Sequence, residues 1–146
     1  VIRRRRGIQR KKKQDRYGVQ KFEAYGESFR SKLEFAVRNL LKMREAAGEI
    51  EMLNREDHVR LGPARFLYIP DFKCRDIKTN EIFWVEAKGK ETETWRRNYR
   101  LWKIHGPGRL EIWKGNAAAP KLVEILIPRA DVCPSCGRPL LEAPCR

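Results

Sequence analysis

Residues 71–88 have one natural way to fold. The runs Asp71–Asp76 and Glu81–Lys88 flank the polar turn Ile77-Lys78-Thr79-Asn80, which is the pattern of an antiparallel hairpin closed by a four-residue loop. Side chains of a strand alternate between faces, so Phe83, Val85 and Ala87 point one way while Ile82, Trp84, Glu86 and Lys88 point the other. Gly89 ends the second arm. Short apolar runs at Ile50–Leu53 and Phe66–Ile69, the latter stopped by Pro70, read as further strands. Leu110–Trp113 and Leu122–Ile127 add two more, separated by Gly115-Asn116 and Pro120 and followed by Pro128.

Two helices complete the pattern. Phe29, Leu33, Ala36, Val37, Leu40 and Leu41 recur at intervals of three and four, which predicts an amphipathic helix of about five turns packed on a sheet. Ser28 is placed as its N-cap and Gly48 as its stop. A second helix is expected from Trp95 to about Ile104, capped by Thr94 and ended by Gly106-Pro107-Gly108. Its Trp95, Tyr99 and Trp102 share one face and suit a core or dimer interface better than a base-stacking platform. The order arm, α, several β, α, β, β, tail is that of an α/β protein. Expected boundaries are a basic arm over residues 1–20, a folded domain over 21–130 and a cysteine-bearing tail over 131–146.

Charge narrows the partners. The 146 residues hold 33 Lys and Arg against 19 Asp and Glu, a net +14. Arg3, Arg4, Arg5, Arg6, Arg10, Lys11, Lys12, Lys13 and Arg16 face Asp15 alone within the first sixteen residues, so that stretch carries +8 and the rest only +6. Such a composition suits an arm that orders on a polyanion. No apolar run approaches the roughly 20 residues of a membrane span, and polar residues follow the basic start where a signal peptide would have its apolar core. No phosphate-binding glycine loop is present, and two histidines, His58 and His105, argue against chemistry built on a histidine cluster. The cysteines, Cys74 apart from Cys133, Cys136 and Cys145, do not form the framework of a secreted disulfide protein, and a reducing, cytoplasmic compartment is expected.

The chemistry-bearing constellation is Pro70-Asp71 followed fifteen residues later by Glu86-Ala87-Lys88. Residues two apart on a strand share a face about 6.8 Å apart, so Glu86 and Lys88 project together, and the hairpin can bring Asp71 alongside. A hard ion such as Mg²⁺ takes one or two carboxylates, waters and substrate phosphate, and Asp71, Glu86 and the Ala87 carbonyl can supply the protein's share. The ion eases deprotonation of a water, which Lys88 can orient while stabilising charge that grows on a scissile phosphate. Glu34, on the preceding helix, can complete the cluster. A lone Glu-x-Lys means little, since alternating charge on a strand is usually a solvated face.

The run Tyr68-Ile69-Pro70-Asp71-Phe72, the strand Val85-Glu86-Ala87-Lys88-Gly89 and the helix bearing Glu34 together resemble the PD-(D/E)XK nuclease motif. Within that superfamily they look most like the phage endonuclease I type of small Holliday-junction resolvase, over residues 28–127. The resemblance implies a restriction-endonuclease-like core, a mixed central sheet flanked by helices. It also implies homodimers that cut branched double-stranded DNA with Mg²⁺ or Mn²⁺, acting in DNA recombination in the cytoplasm of a phage-infected cell. Asp71 and Glu86 match the family's metal ligands, Lys88 its catalytic lysine and Glu34 its helix acid, for which Glu23 and Glu27 are nearby competitors. Alternatives are a nuclease of the same fold acting on linear, nicked or mismatched DNA, and a DNA-binding module without catalysis.

DNA contacts are expected from the arm and from Arg96, Arg97, Arg100 and Lys103 on the helix after the motif strand. Backbone contacts carry little base information, so shape is the expected target. Cys133-Pro134-Ser135-Cys136-Gly137 resembles a zinc knuckle, with Cys145 as third ligand and the fourth left to Cys74, His105, a partner subunit or residues past Arg146. A zinc ion there would be structural; reduced, metal-free or disulfide-linked thiols are the alternative. His58 lies in a charged stretch and His105 at a helix end, where its partial charge suits the dipole.

Overall fold

The computed structural model describes residues 21–129 together with Cys133 and Arg138. The chain divides between Ser31 and Lys32 into two compact units. The first unit holds a hairpin of β1 (Phe22–Ala24) and β2 (Glu27–Phe29). Its turn is Tyr25-Gly26, both at positive φ (53° and 75°), the conformation that matches the twist of a two-residue hairpin and that glycine adopts freely. The rings of Phe22 and Phe29 stack across the pair at 5.6 Å. Ser28 therefore belongs to a strand and does not cap a helix; alternation over three residues is too short to separate from helical spacing.

The second unit opens with α1 (Lys32–Ala46), shorter than the predicted helix by its first turn. β3 (Ile50–Arg55), β4 (Val59–Leu61), β5 (Phe66–Tyr68), β6 (Phe72–Asp76) and β7 (Ile82–Ala87) follow. Then come α2 (Glu93–His105), β8 (Leu110–Asn116) and β9 (Ala119–Leu126). Five strands form one mixed sheet in the order β3-β6-β7-β8-β9, with β7 and β8 parallel and the other pairs antiparallel. β4 and β5 make a separate hairpin, so the run at Phe66 is not part of the main sheet. Pro120 lies inside β9 opposite Gly115 and does not break the chain as expected, because β9 is a sheet edge where a missing N–H is tolerated.

Each sheet face carries its own core. α1 lays Leu33, Val37 and Leu41 on Ile50, Phe72, Cys74, Phe83 and Val85. On the other face α2 and the β4–β5 hairpin bury Val59, Leu61, Tyr68, Trp95 and Trp102 against Trp84, Leu110, Ile112 and Leu126. The alternation of β7 is what allows this: Phe83 and Val85 enter one core and Trp84 the other. Trp95 and Trp102 are core residues, as the helical spacing suggests. Trp84 Nε1 donates to Asp57 at 2.9 Å and the Lys73 ammonium lies 3.3 Å from the same carboxylate. Burial alone would raise the Asp57 carboxyl, but these partners and Asn54 hold it below its usual range. Cys74 is fully buried and its thiol is pushed up to about 12, chiefly by burial. No helix among the described residues is long and apolar enough to cross a membrane.

The start of α2 corrects the predicted cap. Thr92, in extended conformation, accepts a hydrogen bond from the Trp95 N–H at 3.2 Å, and Glu93 already begins the helix. Thr94, chosen from the sequence, lies within the helix. Thr92→Ala should cost about 1 kcal/mol in denaturant unfolding, the usual loss of an N-cap oxygen, and Thr94→Ala much less. At the other end the Gly106 N–H bonds Trp102 O at 2.9 Å, and a Cβ there would lie 2.6 Å from Trp102 Nε1. Glycine is what lets the chain pass so close.

Candidate functional site

The hairpin forms with the expected loop. Arg75 pairs with Ile82, the Asp76 N–H bonds Glu81 O at 2.8 Å, and Asp76 Oδ1 accepts from Thr79 N at 2.9 Å inside the turn. Phe72 pairs with Val85, so the next residues outward, Asp71 and Glu86, face each other across the strands. Asp71 Oδ2 accepts the Ala87 N–H at 2.8 Å, which ties the carboxylate to the strand that carries Glu86. Lys88 sits one residue beyond β7, its N–H bonded to Trp113 O at 2.8 Å and its Nζ 3.9 Å from Glu86 Oε1. Asp71 and Glu86 are only 8% and 6% exposed; carboxylates are seldom buried so far without partners or a cation to balance them.

Glu34 reaches the same end of the sheet by another route. It lies in the first turn of α1, 2% exposed, and Arg55 Nη2 donates to its Oε1 at 2.7 Å. Arg55 pairs with Phe72 in the β3–β6 ladder and lies over its ring at 5.7 Å, while the Glu56 N–H bonds Asp71 O at 3.0 Å. The helix acid and the hairpin acids thus stand at one sheet end with an arginine between α1 and the strands. Among the described residues no three His, Cys, Asp or Glu side chains converge as a metal-binding group. Asp71 and Glu86, opposite each other across the strands, are two carboxylates of the kind a hard divalent ion takes, and such an ion needs only one or two from the protein when water and phosphate complete its shell. Glu23 and Glu27, the competitors for the helix-acid role, lie on the β1–β2 hairpin.

Sequence reasoning did not single out Arg55, Tyr68 or Trp95 as site residues. Tyr68, at the end of β5 and three residues before Asp71, is buried with its ring edge-on to Trp102 at 5.7 Å. Burial, then the charges of Glu86 and Asp71, push its phenol well above the usual range. Trp95, in the first turns of α2, lies 6.0 Å beneath the Lys88 ammonium and 5.6 Å beneath that of Lys114, which also pairs with Glu91. In the sequence Tyr68 stands only as a member of the motif run, and Trp95 only as a residue for a core or dimer interface.

The basic residues of α2 divide. Arg96, Arg100 and Lys103 are exposed; Arg96 lies 3.5 Å from Glu91 and 3.6 Å from Glu93, and Lys103 rests over Tyr99 at 4.5 Å. Arg97 is half-buried, stacked over Phe66 at 4.3 Å and bonded to Asn98, so it holds the β4–β5 hairpin as well as facing outward. Arg3, Arg4, Arg5, Arg6, Arg10, Lys11, Lys12, Lys13 and Arg16 lie outside the described residues, as do Cys136 and Cys145. Cys133 is buried and its N–H bonds Arg138 O at 2.8 Å. No protein-family model, no curated protein and no solved structure matches this chain.

Proposed function

We propose that the chain is a metal-dependent, structure-selective DNA endonuclease with a restriction-endonuclease-like core, specifically a Holliday-junction resolvase of the phage endonuclease I type that works as a homodimer. The observation that carries this is the face-to-face placement of Asp71 and Glu86 with Lys88 3.9 Å from Glu86, all at the open end of one hairpin. Mixed α/β architecture, with a five-stranded sheet between helices, accommodates the proposed core.

Asp71 and Glu86, with the Ala87 carbonyl, would hold Mg²⁺ or Mn²⁺. When bound, such an ion polarises the scissile phosphate and eases ionisation of the attacking water. The Ala87 N–H fixes the Asp71 carboxylate, so that ligand is oriented before any ion arrives. Lys88, anchored through its backbone to β8, places a positive charge beside Glu86, where it can steady a phosphate gaining negative charge. Glu34, bonded by Arg55 at the same sheet end, would complete the cluster. Arg96, Arg100 and Lys103 would grip phosphates beside the site, and the +8 of the first sixteen residues would add a strongly salt-dependent attraction. Two sites related by a dimer axis would match the two related strands of a four-way junction.

Cutting of a labelled four-way junction against a linear duplex of the same sequence, both with Mg²⁺, tests this reading. The junction should be cut faster. Equal rates would defeat the resolvase assignment and leave a general nuclease of this fold.

A further inference from the structure

Three polar groups meet on the α2 side of the hairpin, inside the core. Tyr68 is 6% and Trp95 7% exposed, and neither the Tyr68 hydroxyl nor the Trp95 indole N–H completes a hydrogen bond in the structure. Buried donors left in that state are uncommon and costly. Both nevertheless have polar neighbours at hand: the Trp95 ring underlies the Lys88 ammonium that lies 3.9 Å from Glu86, and the Glu86 carboxylate and the Trp95 indole both act on the Tyr68 phenol. The rings that carry them are packed, Tyr68 edge-on to Trp102 and Trp95 against Tyr99 at 5.3 Å.

Donor and acceptor capacity sets the direction. An indole N–H can only donate, an ionised carboxylate can only accept, and a phenol does both. The one arrangement that satisfies all three runs from Trp95 to the Tyr68 oxygen and from the Tyr68 hydrogen to Glu86. We propose that Tyr68 is a positioning residue for Glu86, with Trp95 behind it, and that this buried donor chain sets the orientation in which Glu86 meets a divalent cation. The proposal rests on the nuclease reading above, which gives Glu86 its metal. Neither aromatic group touches DNA in this role; each acts through the carboxylate. Trp95 serves twice, because its ring also underlies Lys88, so α2 would brace both charged members of the Glu-x-Lys pair.

The probe is Mn²⁺ binding by the full chain without DNA, followed by water-proton relaxation. Tyr68→Phe keeps the ring and deletes the donor. It should weaken Mn²⁺ binding by about tenfold or more, the usual loss when a group that orients a metal ligand is removed. Its melting temperature and its affinity for branched DNA in EDTA should stay near wild type. Trp95→Phe should weaken Mn²⁺ less, and the double variant should be no weaker than Tyr68→Phe alone, because the indole acts through the phenol. Wild-type Mn²⁺ affinity in Tyr68→Phe would overturn the proposal and leave the nuclease reading standing. If Tyr68→Phe does not fold, full additivity of Trp95→Phe with Glu86→Gln would overturn it in the same way. Failure of the wild-type chain itself to bind Mn²⁺ would overturn the nuclease reading and, with it, this role.

Discussion

With Lys88 replaced by alanine, strand cutting should slow by roughly 10²- to 10³-fold, the scale on which removing one group aimed at developing charge acts. Affinity for branched DNA in EDTA should hardly change, because one ammonium among 33 basic side chains contributes little to binding a polyanion. Position, more than charge, makes Lys88 different from the rest. Its backbone is pinned to Trp113 O, its ammonium lies 3.9 Å from Glu86 and the Trp95 ring supports it from below. Asp71→Asn should abolish cutting with binding intact, since an amide in place of the carboxylate removes the negative charge that holds the cation while leaving an oxygen for the Ala87 N–H. Single-turnover rates set beside gel-shift affinities check both. Full cleavage by either variant would take that residue out of the chemistry.

The largest effect on stability is expected at Trp102. It is fully buried and meets Tyr68 and Trp84 edge-to-face at 5.7 Å and 5.5 Å, and its Nε1 donates to Gly108 O at 2.8 Å. Trp102→Ala should cost about 3–5 kcal/mol in guanidinium unfolding, a large part of the total stability of a domain this size. Trp102→Phe should cost clearly less, because it keeps an edge-to-face ring and loses chiefly the bond to Gly108. Nearly wild-type stability in Trp102→Ala would mean that α2 and the β4–β5 hairpin are not held on the sheet through this cluster.

The hairpin and the cross-strand placement of its two acids were legible because everything needed lies within eighteen residues. Alternation set the faces of β7, the polar turn set the register, and register alone put Asp71 opposite Glu86. The α1 stripe was legible for a similar reason, spanning enough turns for its period to show. Three-residue strands such as Val59-Arg60-Leu61 have no period to read, so β4 and the β1–β2 hairpin were missed. Thr92 and Thr94 both stand where a cap could, and only the bond to the Trp95 N–H separates them. Pro120 looked like a breaker because a sequence does not say which strand will be an edge. The neighbours of these acids were hidden by distance along the chain: Arg55 is twenty-one residues from Glu34, and Tyr68 and Trp95 share a core only after β5 and α2 have packed on one face.

The most direct measurement is single-turnover cutting of an end-labelled four-way junction by the wild-type chain in Mg²⁺ and in EDTA, beside Glu86→Gln in Mg²⁺. Metal-dependent cuts by the wild type and none by Glu86→Gln is the expected result. Junction binding without metal-dependent nicking of any branched substrate, in Mg²⁺ or in Mn²⁺, would contradict it and make the chain a DNA-binding module.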